Sequence, residues 1–263
     1  MNEWYLEYEI TVNRPGLLGD ISSLLGLLRV NIVTINGVFE DNRRVMLLRT
    51  EDDRQIERFA LIARTMESIE LIKIRKPRLH DRLTVRHGRF IDRSEEDSKI
   101  FRFVRKDLGV LVDYMAELFK EEGHRLIGVR GMPRVGKTEA VVAASVSANK
   151  KWVFLSSTMI KQTVRHRLQA DEYGAQHIFI LDGIVTRKAG DERHLQLVRE
   201  IMSLPAVKVI EHPDLFVQHS EYTLDDFDTI IELRTDETEE ITYERLEKQE
   251  RLDTRQALDA FRF

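Results

Sequence analysis

Cysteine is absent from this chain. Disulfides, a thiolate nucleophile and any cysteine-ligated metal are therefore excluded, and a cytoplasmic location is the expectation. Long apolar runs are missing as well. None approaches the ~18 residues that a membrane-crossing helix requires, and the opening MNEWYLEYE is acidic instead of basic then apolar, so neither a membrane span nor a signal peptide is expected. The histidines show no H-x-x-x-H or H-E-x-x-H spacing, and no structural metal is expected from them. An excess of one charge is lacking too: 41 Lys and Arg stand against 45 Asp and Glu, a formal net charge of −4.

The distribution of charge says more than its sum. Lys73 to Arg93 holds eight Lys or Arg and two Asp, whereas Glu221 to Glu250 holds twelve Asp or Glu and three Lys or Arg. Such a basic stretch can follow a phosphodiester backbone, or it can meet acidic groups of its own chain. No aromatic stacking pattern accompanies it, so nucleic acid is the less favoured partner. At 263 residues the chain is long enough for two domains with separate cores.

The chemistry is concentrated in one stretch. Gly131 to Thr138 reads GMPRVGKT and fits G-x-x-x-x-G-K-[ST], the phosphate-cradling Walker A loop, between an apolar run Leu126 to Val129 and a helix-forming run Glu139 to Ala148. At ordinary residue usage the pattern arises by accident in about one chain in a hundred of this length. Gly131 and Gly136 let the backbone turn so that N–H groups point at phosphate oxygens. Lys137 would neutralise the β and γ phosphates, and Thr138 would place its hydroxyl on Mg2+. The expected nucleotide-binding residues are Gly131, Met132, Pro133, Arg134, Val135, Gly136, Lys137, Thr138 and Glu139. The alternative is a surface glycine turn ahead of a helix.

Alternating elements surround the loop. A helix is expected on the face Phe101, Val104, Leu108, Leu111, Met115 and Leu118, with Gly123 past its end. Downstream, Trp152 to Ser156 reads as a strand, Lys161 to Ala170 as a helix, and His177 to Leu181 as a strand ending on Asp182. A helix over His194 to Met202 and strands over Val207 to Glu211 and Thr229 to Leu233 complete an α/β domain with a mostly parallel sheet. HIFILD has the Walker B form, placing Asp182 as a second residue for Mg2+ and, with Lys137, as a catalytic candidate.

Over about residues 100 to 235 the chain thus resembles the P-loop NTPase superfamily. The resemblance implies a nucleoside triphosphate, ATP or GTP, bound with Mg2+. Asp182 is followed by Gly183 and not by the Glu with which AAA+ and signal-transduction ATPases polarise water, so rapid hydrolysis is in doubt. Glu211, Asp171 and Glu172 could each substitute, and the sequence singles out none. Arg187, Lys188 and Arg193 are either phosphate contacts or ordinary loop charges.

The first residues follow a different rhythm. Trp4, Leu6, Tyr8, Ile10 and Val12 alternate with Glu7, Glu9 and Thr11, as in a half-buried strand. A helix from Leu17 to Leu28, strands over Asn31 to Val38 and Arg44 to Arg49, a helix from about Asp52 to Met66 and a strand Ile69 to Ile74 give the order βαββαβ, the ferredoxin-like split unit. Asn13-Arg14-Pro15-Gly16-Leu17-Leu18 followed by Asn31-Ile32 resembles the ACT domain over about residues 4 to 76, with Asn13 where that family usually has Asp. The resemblance implies a small-molecule effector near Asn13, Gly16, Leu17 and Asn36, or a dimerisation module without one. A homodimer through this domain is expected.

The expected organisation is residues 1–76 as the ACT-like domain, 77–98 as a basic connector with a short strand at Leu83 to Phe90, 99–235 as the nucleotide-binding domain and 236–263 as a charged C-terminal helix. Over its whole length the chain also resembles the YmfK-like proteins of bacilli, which adds no chemistry. The function expected is a nucleotide switch or NTPase regulated through the first domain. The alternatives are a small-molecule kinase, a nucleic-acid-linked ATPase and a nucleotide-binding scaffold without turnover.

Overall fold

A computed structural model describes residues 1–38, 42–157, 163–185 and 192–241. The chain is a mixed α/β protein that divides into two units, one ending at Ile91 and the next beginning at Asp92.

Alternation builds the first unit. β1 (Asn2–Ile10), β2 (Asn31–Gly37), β3 (Arg43–Thr50) and β4 (Ile69–Arg75) form an antiparallel sheet in the order β2-β3-β1-β4. Helices α1 (Leu17–Leu27) and α2 (Arg54–Ala63) join them, so the expected βαββαβ order is present. Leu6, Tyr8, Met46 and Leu48 on one sheet face pack with Leu17, Ile21 and Leu25 of α1 and Ile56 and Phe59 of α2. Each such side chain contributes about 1.5–3 kcal/mol on leaving water.

The opposite face is where the sequence misleads. The stretch Leu83 to Phe90, expected to be a strand in a connector, belongs to the first unit, and Leu79–His87 is a helix, α3. Val85 of α3 joins Tyr5, Val38, Val45 and Leu47 in a second small core. Buried Leu83 and Val85 alternate by two, which mimics a strand, but Asp81 accepts from the Arg78 N–H at 2.7 Å and fixes a helical first turn. Gly88 ends that helix at φ +66, and a Cβ there would lie 2.7 Å from the Gly37 carbonyl oxygen. Because this face is covered, Glu7 is fully buried.

The second unit is a seven-stranded sheet. Its strands are β5 (Asp92–Arg93), β6 (Ile100–Val104), β7 (Arg125–Arg130), β8 (Lys151–Phe154), β11 (His177–Asp182), β12 (Val207–Glu211) and β13 (Thr229–Arg234), in the order β5-β6-β13-β7-β12-β11-β8. Every pairing is parallel except β5 with β6. A separate two-stranded ladder joins β9 (Ser156–Ser157) to β10 (Thr163–Val164). Helices α4 (Leu108–Lys120), α5 (Lys137–Ser147), α6 (Glu192–Ser203) and the short α7 (Pro213–Val217) connect the strands. β11 and β12 are buried at every position, as parallel strands covered on both faces must be.

Two expected helices differ. Phe101 and Val104 belong to β6, and α4 begins only at Leu108 after a 3-10 turn over Arg105–Asp107. Their spacing continues the stripe of α4 across a strand-to-helix junction, which explains the misreading. The helix expected over Lys161 to Ala170 is not formed in its described part: Thr163–Val164 is strand and only Ala170–Glu172 is helical, as a 3-10 turn. Arg165 instead forks onto Glu172 at 2.8 and 2.9 Å, and Glu172 caps the Gln169 N–H at 2.7 Å. Of the C-terminal helix expected over 236–263, residues 236–241 are turn and irregular chain instead, and the rest, from residue 242, lies outside the described residues, as do Arg187 and Lys188. Among the described residues no helix is long and apolar enough to cross a membrane.

Candidate nucleotide site

Three parallel strands end side by side at one edge of the second sheet. β7 runs into Gly131, β12 ends on Glu211 and β11 ends on Asp182, with Asp182 in register with Glu211 and Glu211 with Val129. In open parallel sheets this carboxyl edge is the place where ligands gather.

The loop fits closely against its surroundings. A Cβ at Gly131 would stand 2.6 Å from the Leu233 carbonyl oxygen, so β13 excludes any side chain there. Gly136 turns at φ +109 into α5, whose first intrahelical bond runs from the Ala140 N–H to the Gly136 carbonyl at 2.9 Å. Between them Arg134 holds φ +65, unusual for a non-glycine residue, and its carbonyl accepts from Arg105 at 2.6 Å. Val135 is buried, Met132 and Pro133 are half-buried, and Glu139 is exposed on α5. The opening N–H groups of α5 have no partners within the helix, and with the loop amides they form a setting suited to an anion.

Lys137 is buried and spans the loop. Its Nζ donates to the carbonyls of Gly131 at 2.9 Å and Met132 at 3.0 Å. Thr138 donates its hydroxyl to Glu211 Oε1 at 2.6 Å. Burial, opposed by Lys137 and reinforced by the Asp182 charge, pushes the Glu211 carboxyl up to about 7. His212 follows in the left-handed region at φ +57 and is buried. Burial first, and then the neighbouring Lys137 charge, hold its imidazole well below the ordinary value, so it is neutral.

Asp182 is buried. Oδ1 accepts from the N–H groups of Ile184 at 2.9 Å and Val185 at 3.3 Å. Its backbone N–H donates to Ser156 Oγ at 2.9 Å, and that hydroxyl donates back to the Asp182 carbonyl at 3.2 Å. Gly183 is required by crowding, since a Cβ would lie 2.6 Å from the His212 carbonyl oxygen. Beside Gly183 opens a cavity of about 350 Å³ bounded by Val198 of α6, Leu215 and Phe216 of α7, His219 and Tyr222.

A family model described as "Protein of unknown function (DUF3388)" matches residues 71–261. The chain belongs to the DUF3388 family. It is also 65% identical over 251 residues to "Uncharacterized protein YmfK" of Bacillus subtilis (strain 168), covering 95% of this chain and 93% of that protein. The DUF3388 match takes in the loop, Asp182 and Glu211. Neither description carries an activity, so the functional argument rests on the chemistry of the site.

The structure gathers Lys137, Thr138, Asp182 and Glu211 at the strand ends and leaves other candidates apart. Glu172 is held by Arg165, whose guanidinium keeps its carboxyl below the ordinary value. Asp171 is exposed in the same turn, and Arg193 is exposed in the first turn of α6. In the first unit, Leu17 lies in the core under α1 and α2, whereas Asn36 pairs across from Val45 on the opposite face. Asn13 and Gly16 are exposed in the loop before α1. Four of the eight cations of the basic stretch form ion pairs within the first unit: Lys73 with Glu7, Arg75 with Asp81, Lys76 with Asp53 and Arg82 with Glu3.

Reading the sequence missed two features. His212 gave no signal, because its role depends on the backbone turn at the end of β12. Arg130, which forks onto Asp214 at 2.8 and 2.7 Å and reaches Glu232 at 3.2 Å, ties the strand before the loop to α7 and β13. Among the described residues no group of three or more His, Asp or Glu gathers to hold a metal unaided. Mg2+ fits such a setting only alongside phosphate, because it keeps most of its waters and takes few protein ligands.

Proposed function

We propose that this protein binds a nucleoside triphosphate, ATP or GTP with Mg2+, in the manner of a P-loop NTPase or nucleotide switch. On this reading the second unit is a P-loop domain, and the first is a ferredoxin-like, ACT-like domain that senses an effector or mediates dimerisation. The observation that carries the reading is the loop itself: Gly131 where a side chain has no room, Gly136 at a left-handed φ of +109, a buried lysine across the hollow, and a threonine hydroxyl facing a carboxylate at the strand ends. Bound Mg2+ would supply charge neutralisation on the phosphates, with the Thr138 hydroxyl as its protein ligand.

Isothermal titration of ATP, GTP and their diphosphates with Mg2+, beside a phosphate-release assay, tests this reading. We expect micromolar or tighter binding by the native chain and loss of binding in Lys137→Ala with an unchanged circular dichroism spectrum. Unchanged affinity in that variant would remove the proposal. Appreciable phosphate release identifies a working NTPase; tight binding without release identifies a scaffold or sensor.

A second reading, small-molecule kinase, is supported by the cavity next to Gly183, whose volume is that of a small-ligand pocket. Triphosphate consumption that rises only on addition of a small acceptor would select it. The nucleic-acid reading is weakened by the internal pairing of the basic stretch. Homodimerisation through the first unit, whose sheet has β2 and β4 as its outer strands, predicts twice the chain mass by light scattering at tens of micromolar.

A further inference from the structure

Two acids compete for the cation side of this site, and their geometry separates them. β12 lies between β7 and β11. An acid at the end of β12 is therefore one strand spacing from the loop-bearing strand, about 4.8 Å, whereas Asp182 is two spacings away. Glu211 uses that proximity, accepting the Thr138 hydroxyl at 2.6 Å from a side chain 6% exposed. Asp182 instead spends Oδ1 on the two N–H groups that follow it, as a residue opening a helical turn does.

We propose that Glu211, rather than Asp182, is the acid that completes the Mg2+ side of the nucleotide site. The assignment rests on the P-loop reading and goes beyond it by naming which carboxylate orients the cation's shell. In the free protein Lys137 is satisfied by loop carbonyls and Thr138 by Glu211. Both groups that would meet the ligand are thus held in place before it arrives, with Glu211 fixing the hydroxyl that would turn to the cation. Asp182 then has a positioning role. Through Ile184, Val185 and Ser156 it fixes the turn at Gly183, which packs against the backbone of Glu211 and His212.

The test is titration of the non-hydrolysable triphosphate analogue with Mg2+ and again with EDTA, for the native chain, Glu211→Gln and Asp182→Asn. Circular dichroism and thermal melts establish that each variant is folded. The native chain should bind more tightly with Mg2+. Glu211→Gln keeps the hydrogen-bond geometry but removes the charge. It should retain the EDTA affinity and weaken Mg2+ by about 10–100-fold, the usual effect of removing a partner just outside a metal's ligands. Folded Asp182→Asn should keep the Mg2+ gain. Full Mg2+ gain in Glu211→Gln, loss of the gain in folded Asp182→Asn, or a native chain indifferent to Mg2+ would each overturn the assignment. Should Glu211→Gln fail to fold, Asp182→Asn decides alone, by keeping the gain or losing it. A native chain that binds no triphosphate in either condition removes the P-loop reading itself, and the assignment with it.

Discussion

Glu7 in the antiparallel sheet and Glu211 in the parallel sheet are both buried, and they differ in what surrounds them. Glu7 accepts from the Tyr5 hydroxyl at 3.0 Å, Arg43 at 3.2 Å and Lys73 at 3.0 Å. The same two cations lie over the Phe90 ring at 5.8 and 6.0 Å. Glu211 has one short bond, from a neutral hydroxyl; the Lys137 charge nearby favours its ionised form but is outweighed by burial, and the Asp182 carboxylate opposes it. A buried acid bonded directly to cations holds elements together; a buried acid whose only direct bond is from a hydroxyl, and whose nearby cation does not offset its burial, costs stability in the free protein. Its place at the end of three parallel strands accounts for its presence better than stability does.

The larger effect belongs to the compensated acid. Glu7→Ala strands the Tyr5 hydroxyl, opens a void under α3 and removes the common partner of Arg43 and Lys73. Breaking a buried pair from one side costs about 3–5 kcal/mol. Arg43 and Lys73 are partly exposed and can turn to water, so the expected loss is about 3 kcal/mol, the low end of that range. Urea unfolding of the first unit should read it. A loss below the scatter of ordinary surface substitutions would mean that the ion pairs are idle and that the contrast with Glu211 fails.

This contrast was only half legible in the sequence. Leu6, Tyr8, Leu17 and Ile21 announce their faces by spacing of two and of three or four, and the loop announces itself by composition. Glu7 reads as solvent-facing because burial on its side comes from α3, and α3 reads as a strand. Phe101 and Val104 extend the stripe of α4 although they lie in β6, since local periodicity carries no mark of where one element yields to the next. Glu211 sits 73 positions from Thr138. Their contact depends on β12 lying between β7 and β11, a property of strand order that no local pattern encodes. Asp182 was visible as the end of an apolar run, but whether it faces the loop or its own backbone is decided by the turn at Gly183.

Glu211→Gln should move stability the other way, by a smaller amount and only in part of the pH range. The folded carboxyl titrates at about 7, raised from 4.5 by burial. Between those values the folded chain holds a proton that the unfolded chain has released, so stability falls as pH rises through the window. Below pH 4.5 both states are protonated and the penalty is absent; above 7 it is complete. A shift of this size corresponds to about 3–4 kcal/mol, and glutamine, which cannot ionise, should recover about 2 kcal/mol of it at pH 8. Thermal unfolding of the nucleotide-free second unit at pH 4.5 and pH 8 should therefore show native and variant melting together at the lower pH, with the variant higher at the upper one. A variant offset by the same amount at both values would assign the gain to packing and remove charge from the comparison. A gain confined to the higher pH, in the same variant that loses the Mg2+ increment, would mean that the carboxylate is kept at a cost in stability for the sake of the site.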